Sequence, residues 1–266
     1  MVVASSRIHW VDDGARTRAQ RRFAELRDLL AADPSNDGAL RQALRLARRL
    51  DWPNESCDLL GRLVLLNPDD IELRAALATE LMRLERWIEA LPHLRRVTRA
   101  RPRDPQAWYN LAIAHQAAGH LTEALRAWTE VIELDPASAD AWARRGEVQL
   151  DLRRWSSAAA DFEQALRLDA DLVDAALNLA LTRSRLGQYE QARAVLLPLL
   201  DRHPRNIFIL NRLAQVAWSR TCDSPPDAAG ARETARWCRR SLDIVAAQPE
   251  IRDLLARAIE AAESAP

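Results

Sequence analysis

PQAWYNLAIAHQAAGHLTEALRAWTEVIELDPAS, residues 105–138, is a unit of 34 residues whose frame returns along the chain. Its proline near the end, Pro136, has equivalents in Pro34, Pro68, Pro102 and Pro204, and Ala170 stands at the fifth of these six places. No insertion or deletion interrupts the count. A fixed period of this length marks stacked repeats rather than a globule built around one active-site cleft. Cutting on the period gives five units: 37–70, 71–104, 105–138, 139–172 and 173–206.

The types at fixed places within 105–138 carry a resemblance. Trp108, Leu111, Ala112, Ala124, Trp128 and Pro136 stand at positions 4, 7, 8, 20, 24 and 32 of the unit. This pattern resembles the tetratricopeptide repeat, for which those positions and that period are diagnostic. The resemblance implies an all-α fold, a right-handed α-solenoid of stacked antiparallel helix pairs. Position 8 (Leu44, Ala78, Ala112, Gly146, Ala180) and position 20 (Ser56, Ala90, Ala124, Ala158, Ala192) then lie where two helices cross closest. Small side chains there let the backbones approach, and large ones force them apart. Position 17 (Pro53, Trp87, Leu121, Trp155, Tyr189) supplies mostly wedges at the start of the second helix. Gly119 and Gly187 stand where a helix end favours positive φ, and proline at position 32 stops the second helix. Four departures are notable: Leu44, large for position 8, Ala170 for proline, Pro198 inside a second helix where a kink is expected, and Arg145 at position 7. The Arg145 stem is expected to pack while its head reaches water.

The flanks are less regular. Residues 1–36 form an N-terminal segment in which Ala19, Phe23, Leu26 and Leu30 make one stripe of a lead-in helix. An upstream partner for it would place Trp10 where a small residue belongs. A degenerate sixth unit spans 207–247: a helix over 207–218, a loop over 219–230 containing Pro225 and Pro226, and a helix from about 230 to 246. Residues 248–266 hold a closing helix opened by Pro249, with Ile251, Leu254, Leu255, Ala258 and Ile259 on one face.

Composition narrows the function classes. The 38 basic residues, all arginine, balance 38 acidic ones, so no global field draws nucleic acid or an anionic membrane. Without lysine there is no Schiff-base chemistry and no Walker-type phosphate loop. The seven glycines are isolated, and no HExxH, GxSxG or Cys/His ligand cluster occurs. No cofactor or metal and no enzymatic activity are expected. Cys57, Cys222 and Cys238 form no CxxC pair, and residues 1–18 carry acids and arginines where a signal peptide needs an apolar stretch. No run is long enough to span a bilayer, so a cytoplasmic location is expected.

The resemblance also says where binding would sit. In this family the first helices line the concave face, and positions 2, 5, 6, 9, 12 and 13 commonly meet the ligand. Carried over, these include Arg41, Arg45 and Arg48, then Arg83, then Tyr109, Asn110, Ile113 and Gln116. Further along they include Arg144, Glu147, Asn178, Ser184, Asn211, Arg212, Gln215 and, beside the irregular segment, Trp218. Arg41, Arg45 and Arg48 recur about one turn apart, a stripe suited to pairing carboxylates or phosphates. Some members hold the terminal carboxylate of heat-shock chaperones in a basic clamp. Here Asn110 and Arg144 fill two of its places, but Ala75, Thr79 and Asp140 occupy the others. The register one unit-pair later fails at Ala143, Glu147 and Phe208. The reading is a non-catalytic scaffold or adaptor that binds a peptide or helix of a partner protein, with acidic preference toward the first unit. The alternatives are a self-assembling repeat protein and a regulatory subunit of an enzyme carried on another chain.

Overall fold

A computed structural model describes residues 13–223 and 227–264. Trp10, Pro225 and Pro226 lie outside the described residues. The secondary structure is helical throughout: α1 (Asp13–Ala32), α2 (Asp37–Arg49), α3 (Pro53–Leu66), α4 (Ile71–Arg83), α5 (Trp87–Ala100), α6 (Pro105–Ala117) and α7 (Leu121–Leu134). Then follow α8 (Ala139–Asp151), α9 (Trp155–Leu168), α10 (Val173–Arg185), α11 (Tyr189–Arg202), α12 (Ile207–Asp223), α13 (Ala228–Leu242) and α14 (Pro249–Ser264). Within each compact unit consecutive helices pack as antiparallel pairs, the α-solenoid class. The chain divides into two compact units, Met1–Glu123 and Ala124–Pro266, with the division inside α7.

Three joints recur at fixed spacing, and each meets the demand of a helix end for partners to its orphan backbone groups. First helices start on a side-chain cap. Asn36, Asp70, Asp104, Ser138 and Asn206 accept from backbone N–H groups two or three residues on. Leu172, the fifth of the six places, has no cap hydrogen bond. First helices end in a Schellman turn, as in Arg154 N–H to Gln149 O at 2.8 Å and Arg153 N–H to Leu150 O at 2.9 Å. The residue in the left-handed region is Asp51, Glu85, Gly119, Arg153 or Gly187, one per unit, with φ between 56° and 76°.

Only two of those five are glycine, so the other three carry the steric cost of a Cβ at positive φ. Arg153 is exposed, and its side chain makes no hydrogen bond or ion pair with the described residues that would offset this. Arg153→Gly is therefore expected to raise stability by about 1 kcal/mol, read as a higher urea midpoint at unchanged slope. Asp51 differs because its carboxylate receives Arg83 Nη1 at 2.6 Å.

The third joint is the proline ladder. Every rung's carbonyl accepts from a long side chain: Pro34 from Arg62 at 2.7 Å, Pro68 from Arg74 at 2.8 Å and Pro102 from Trp108 Nε1 at 3.0 Å. Pro136 accepts from Trp142 Nε1 at 3.0 Å, Ala170 from Arg202 at 2.9 Å and Pro204 from Arg240 at 3.1 Å. Ala170 thus keeps the joint without the ring. Trp108 and Trp142 serve the frame, and Trp128 is fully buried in it.

Close approach sits where the small residues are. Ser56, Ala90, Ala124, Ala158 and Ala192 are all 0% exposed. Unit one builds outward from α1, whose Ala19, Leu26 and Leu30 are buried and whose Phe23 meets Trp52 edge-on with centroids 5.1 Å apart. In the second unit α14 covers α13, Ile251 and Leu254 joining Trp237, Cys238 and Leu213 in one core.

Arg145 corrects an expectation. Its head turns to an acid rather than to open solvent: Nε and Nη2 donate to the two oxygens of Asp161 at 2.8 and 2.7 Å, and Asp161 is 4% exposed. Gln149 Nε2 adds a third bond to Asp161 at 2.9 Å, and the guanidinium lies 4.7 Å from the centre of the Trp142 ring. An acid buried on α9 needs that charge, which draws the arginine inward.

Two helix limits also differ from expectation. Residues 219–223 are helical, because no breaker precedes Pro225 and Arg220 is fixed by Glu190, Asp227 and Glu233 at 2.8–3.5 Å. Thr221 is buried and bonds back to Ala217 O. Helix α13 stops at Leu242, where the Gln248 amide donates to Ser241 O and Val245 O and folds the chain toward α14. Pro198, and Pro92 which the pattern did not single out, are exposed inside α11 and α5, which run on through them.

Candidate functional site

In the first unit, α2, α4 and α6 carry the residues marked as a binding face. The arginine stripe is largely answered from within. Arg41 Nε meets Asp37 at 2.7 Å, a hydrogen bond that lowers the Asp37 pKa. Arg48 reaches Glu80 at 3.4 Å, and Arg83 bridges Glu80 at 3.0 Å and Asp51 at 2.6 Å. Arg45 is exposed and has no acidic partner among the described residues. On α6, Tyr109, Asn110, Ile113 and Gln116 are half-buried, and Asn110 Oδ1 accepts from Gln106 at 3.0 Å.

In the second unit, Arg144 lies between Glu147 at 3.2 Å and Asp140 at 3.6 Å. Asn178 is half-buried on α10, and its carboxamide bonds to no other described residue. Asn211 is engaged inside the fold: it donates to Gln248 at 2.8 Å and accepts from Ser241 at 2.6 Å.

Arg212 and Trp218 come together. They line a cavity of about 570 Å³ with Leu181, Ser184, Arg185, Tyr189, Gln215, Val216, Ser219, Cys222 and Asp223. Turns of α10 and α12 form its walls and the start of α11 one edge. The Tyr189 hydroxyl donates to Asp223 Oδ2, which pushes the phenol up to about 12 and keeps it neutral. Arg212 Nη1 donates to Gln215 at 3.0 Å, while its Nε is enclosed and donates to nothing. Burial, with the charge of Arg185 beside it, lowers the Arg212 pKa. On the far side, Arg257 stands 5.7 Å from the Trp218 ring.

The sequence reading missed Arg185, Tyr189 and Asp223 here. Arg185 occupies position 13, a place on the family's ligand face, and that was the signal available. Tyr189 stood only as a wedge, and Asp223 fell in the segment expected to be loop.

Elsewhere two thiols and two imidazoles are partly or wholly withdrawn. Burial raises the Cys57 thiol and pushes Cys238 up to about 11, and it lowers His93 and His115. Among the described residues, no three His, Cys, Asp or Glu side chains gather where they could hold a metal. None of the described helices is long and apolar enough to cross a membrane.

Comparison with known proteins gives consistent matches. Two tetratricopeptide repeat family models match, one over residues 75–117 and 109–173 and the other over 149–208. Tetratricopeptide repeat protein 8 of Caenorhabditis elegans is 27% identical over 166 residues, which are 61% of this chain and 32% of the relative. The chain thus spans about a third of that protein's length. Among solved structures, MamA aligns with a TM-score of 0.59 at 16% identity, over 64% of this chain and 92% of its own. YrrB, described as a TPR protein with an unusual peptide-binding site, aligns at 0.52 and 24% identity, over 61% and 84% of the two chains. At these identities the structures speak for the fold.

Proposed function

Because the chain belongs to the tetratricopeptide repeat family, we propose that it is a non-catalytic interaction scaffold or adaptor that holds a peptide or helix of a partner protein against its first helices. The observation that carries this reading is a division of labour among polar groups. Caps, Schellman turns, ladder carbonyls and the Arg145–Asp161 pair satisfy the frame internally. Arg45, Asn178 and Arg212, all on first helices, keep donors that the fold does not use. Such groups are what a partner backbone or side chain needs. That YrrB is described as having a peptide-binding site supports the choice of a peptide. The register of five units over 37–206, a sixth over 207–247 and a closing helix from 248 belongs to the same proposal. Free thiols at Cys57, Cys222 and Cys238 fit a cytoplasmic setting.

Photo-crosslinking tests it. A benzophenone amino acid placed at Arg45 or Asn178 is expected to capture a partner polypeptide in the native cell. The same probe at Arg96 or Arg167, exposed on second helices, is expected to capture none. Equal capture from both sets, or none from the first, overturns the assignment.

A further inference from the structure

We infer that the cavity between α10 and α12 is a receptor for a single carboxylate, an aspartate or glutamate of the bound partner flanked by an apolar residue. The inference rests on the peptide-binding reading and names what that peptide must carry.

The first support is the unanswered charge. In the first unit two of the three stripe arginines are answered, Arg41 by Asp37 and Arg48 by Glu80, and the third, Arg45, is exposed to water rather than enclosed. In the cavity, Arg212 and Arg185 have no acid within ion-pair distance among the described residues. Arg212 is partly desolvated, and its enclosed Nε lacks any acceptor. A buried donor on a charged group without a partner is unfavourable, and a planar carboxylate supplies two acceptors in the geometry of the guanidinium fork.

The second support is the charge balance of the walls. Arg185, Arg212 and Asp223 leave an excess of one positive charge, and Tyr189 holds Asp223 in place as a neutral phenol. One excess charge suits a monoanion. A phosphate dianion would be under-compensated and would face Asp223. The third support is the apolar floor: Trp218, Val216 and Leu181 line the same cavity beside the polar wall. They offer room for an aliphatic or aromatic neighbour of the acid.

The site differs from the chaperone clamp, which would need basic and amide groups where Ala143, Glu147 and Phe208 stand. It pairs Arg212 with Arg185 instead.

The test uses the full chain labelled with ¹⁵N-arginine and a capped pentapeptide, Ala-Phe-Glu-Leu-Ala, titrated while the Nε–H resonances of Arg212 and Arg185 are followed. A saturable shift of Arg212 is expected with this peptide and none with its glutamine counterpart. Arg185→Gln, at an exposed position, is expected to weaken binding about tenfold, the worth of one charge-assisted hydrogen bond. Arg212→Gln is expected to do at least the same while helicity is unchanged. Equal shifts from the two peptides, no shift from either, or a shift from inorganic phosphate alone overturns the inference. Crosslinking at Asn178 that persists beside a silent Arg212 removes this inference and leaves the scaffold reading standing. Loss of crosslinking beside a responsive Arg212 does the reverse.

Discussion

Asp161→Ala is expected to destabilise the second unit by about 3–5 kcal/mol, because it leaves the Arg145 guanidinium buried without its counter-charge. The side chains of Arg145 and Asp161 are 17% and 6% exposed, too little for water to replace the lost carboxylate. Gln149 would also lose the acceptor of its Nε2. Removing both charges has a different outcome. Arg145→Met with Asp161→Leu abolishes two desolvation penalties together with the attraction, and is expected to be neutral or stabilising by about 1–4 kcal/mol. Native-state hydrogen exchange of α8 and α9 amides measures both, since these helices share the pair and repeat units open locally. Equal loss in the single and double variants would show that packing, not charge, sets the value of the site.

That pair also shows where a linear reading stops. The proline period set the helix register, and with it the small residues at the crossings, the wedges and the tryptophans of the frame. Each of these depends on a residue's place within its own unit. Arg145 could not be read that way: its partner Asp161 lies on the next helix, and nothing about position 7 says whether an acid waits opposite. The charge balance of the arginine stripe was out of reach for a related reason. Arg41 is answered on its own helix by Asp37, but the acids for Arg48 and Arg83 come from α4 and from the turn at Asp51. Two of the three arginines that form a stripe in sequence are paired in space, and Arg45 is not. Conversely, Arg185 looked ordinary until α12 brought Arg212 and Trp218 beside it. Periodicity places side chains on faces, and the sum of charge on a face needs the neighbouring helices.

Position 8 gives the other large effect, and its sign depends on one ring. A Cβ on Gly146 would stand 2.8 Å from Cε1 of Phe162, and Phe162 is 0% exposed. Truncating the ring, Phe162→Ala, removes the largest fully buried side chain after Trp128 among the described residues and is expected to cost about 3–5 kcal/mol. Gly146→Ala gains about 1 kcal/mol of helix propensity, against about 1–3 kcal/mol for forcing the ring aside in a packed core. The net result expected in the native background is a loss. With Phe162→Leu in place the ring edge is gone and only the helix gain remains, so the same Gly146→Ala change is expected to stabilise. A double-mutant cycle followed by urea unfolding reads this as a coupling of about 1–3 kcal/mol. If Gly146→Ala stabilises both backgrounds, the ring has room to move and glycine is not required by the crossing. If it destabilises both, the obstruction lies in the α9 backbone, and the small residue at position 8 answers to helix–helix distance alone.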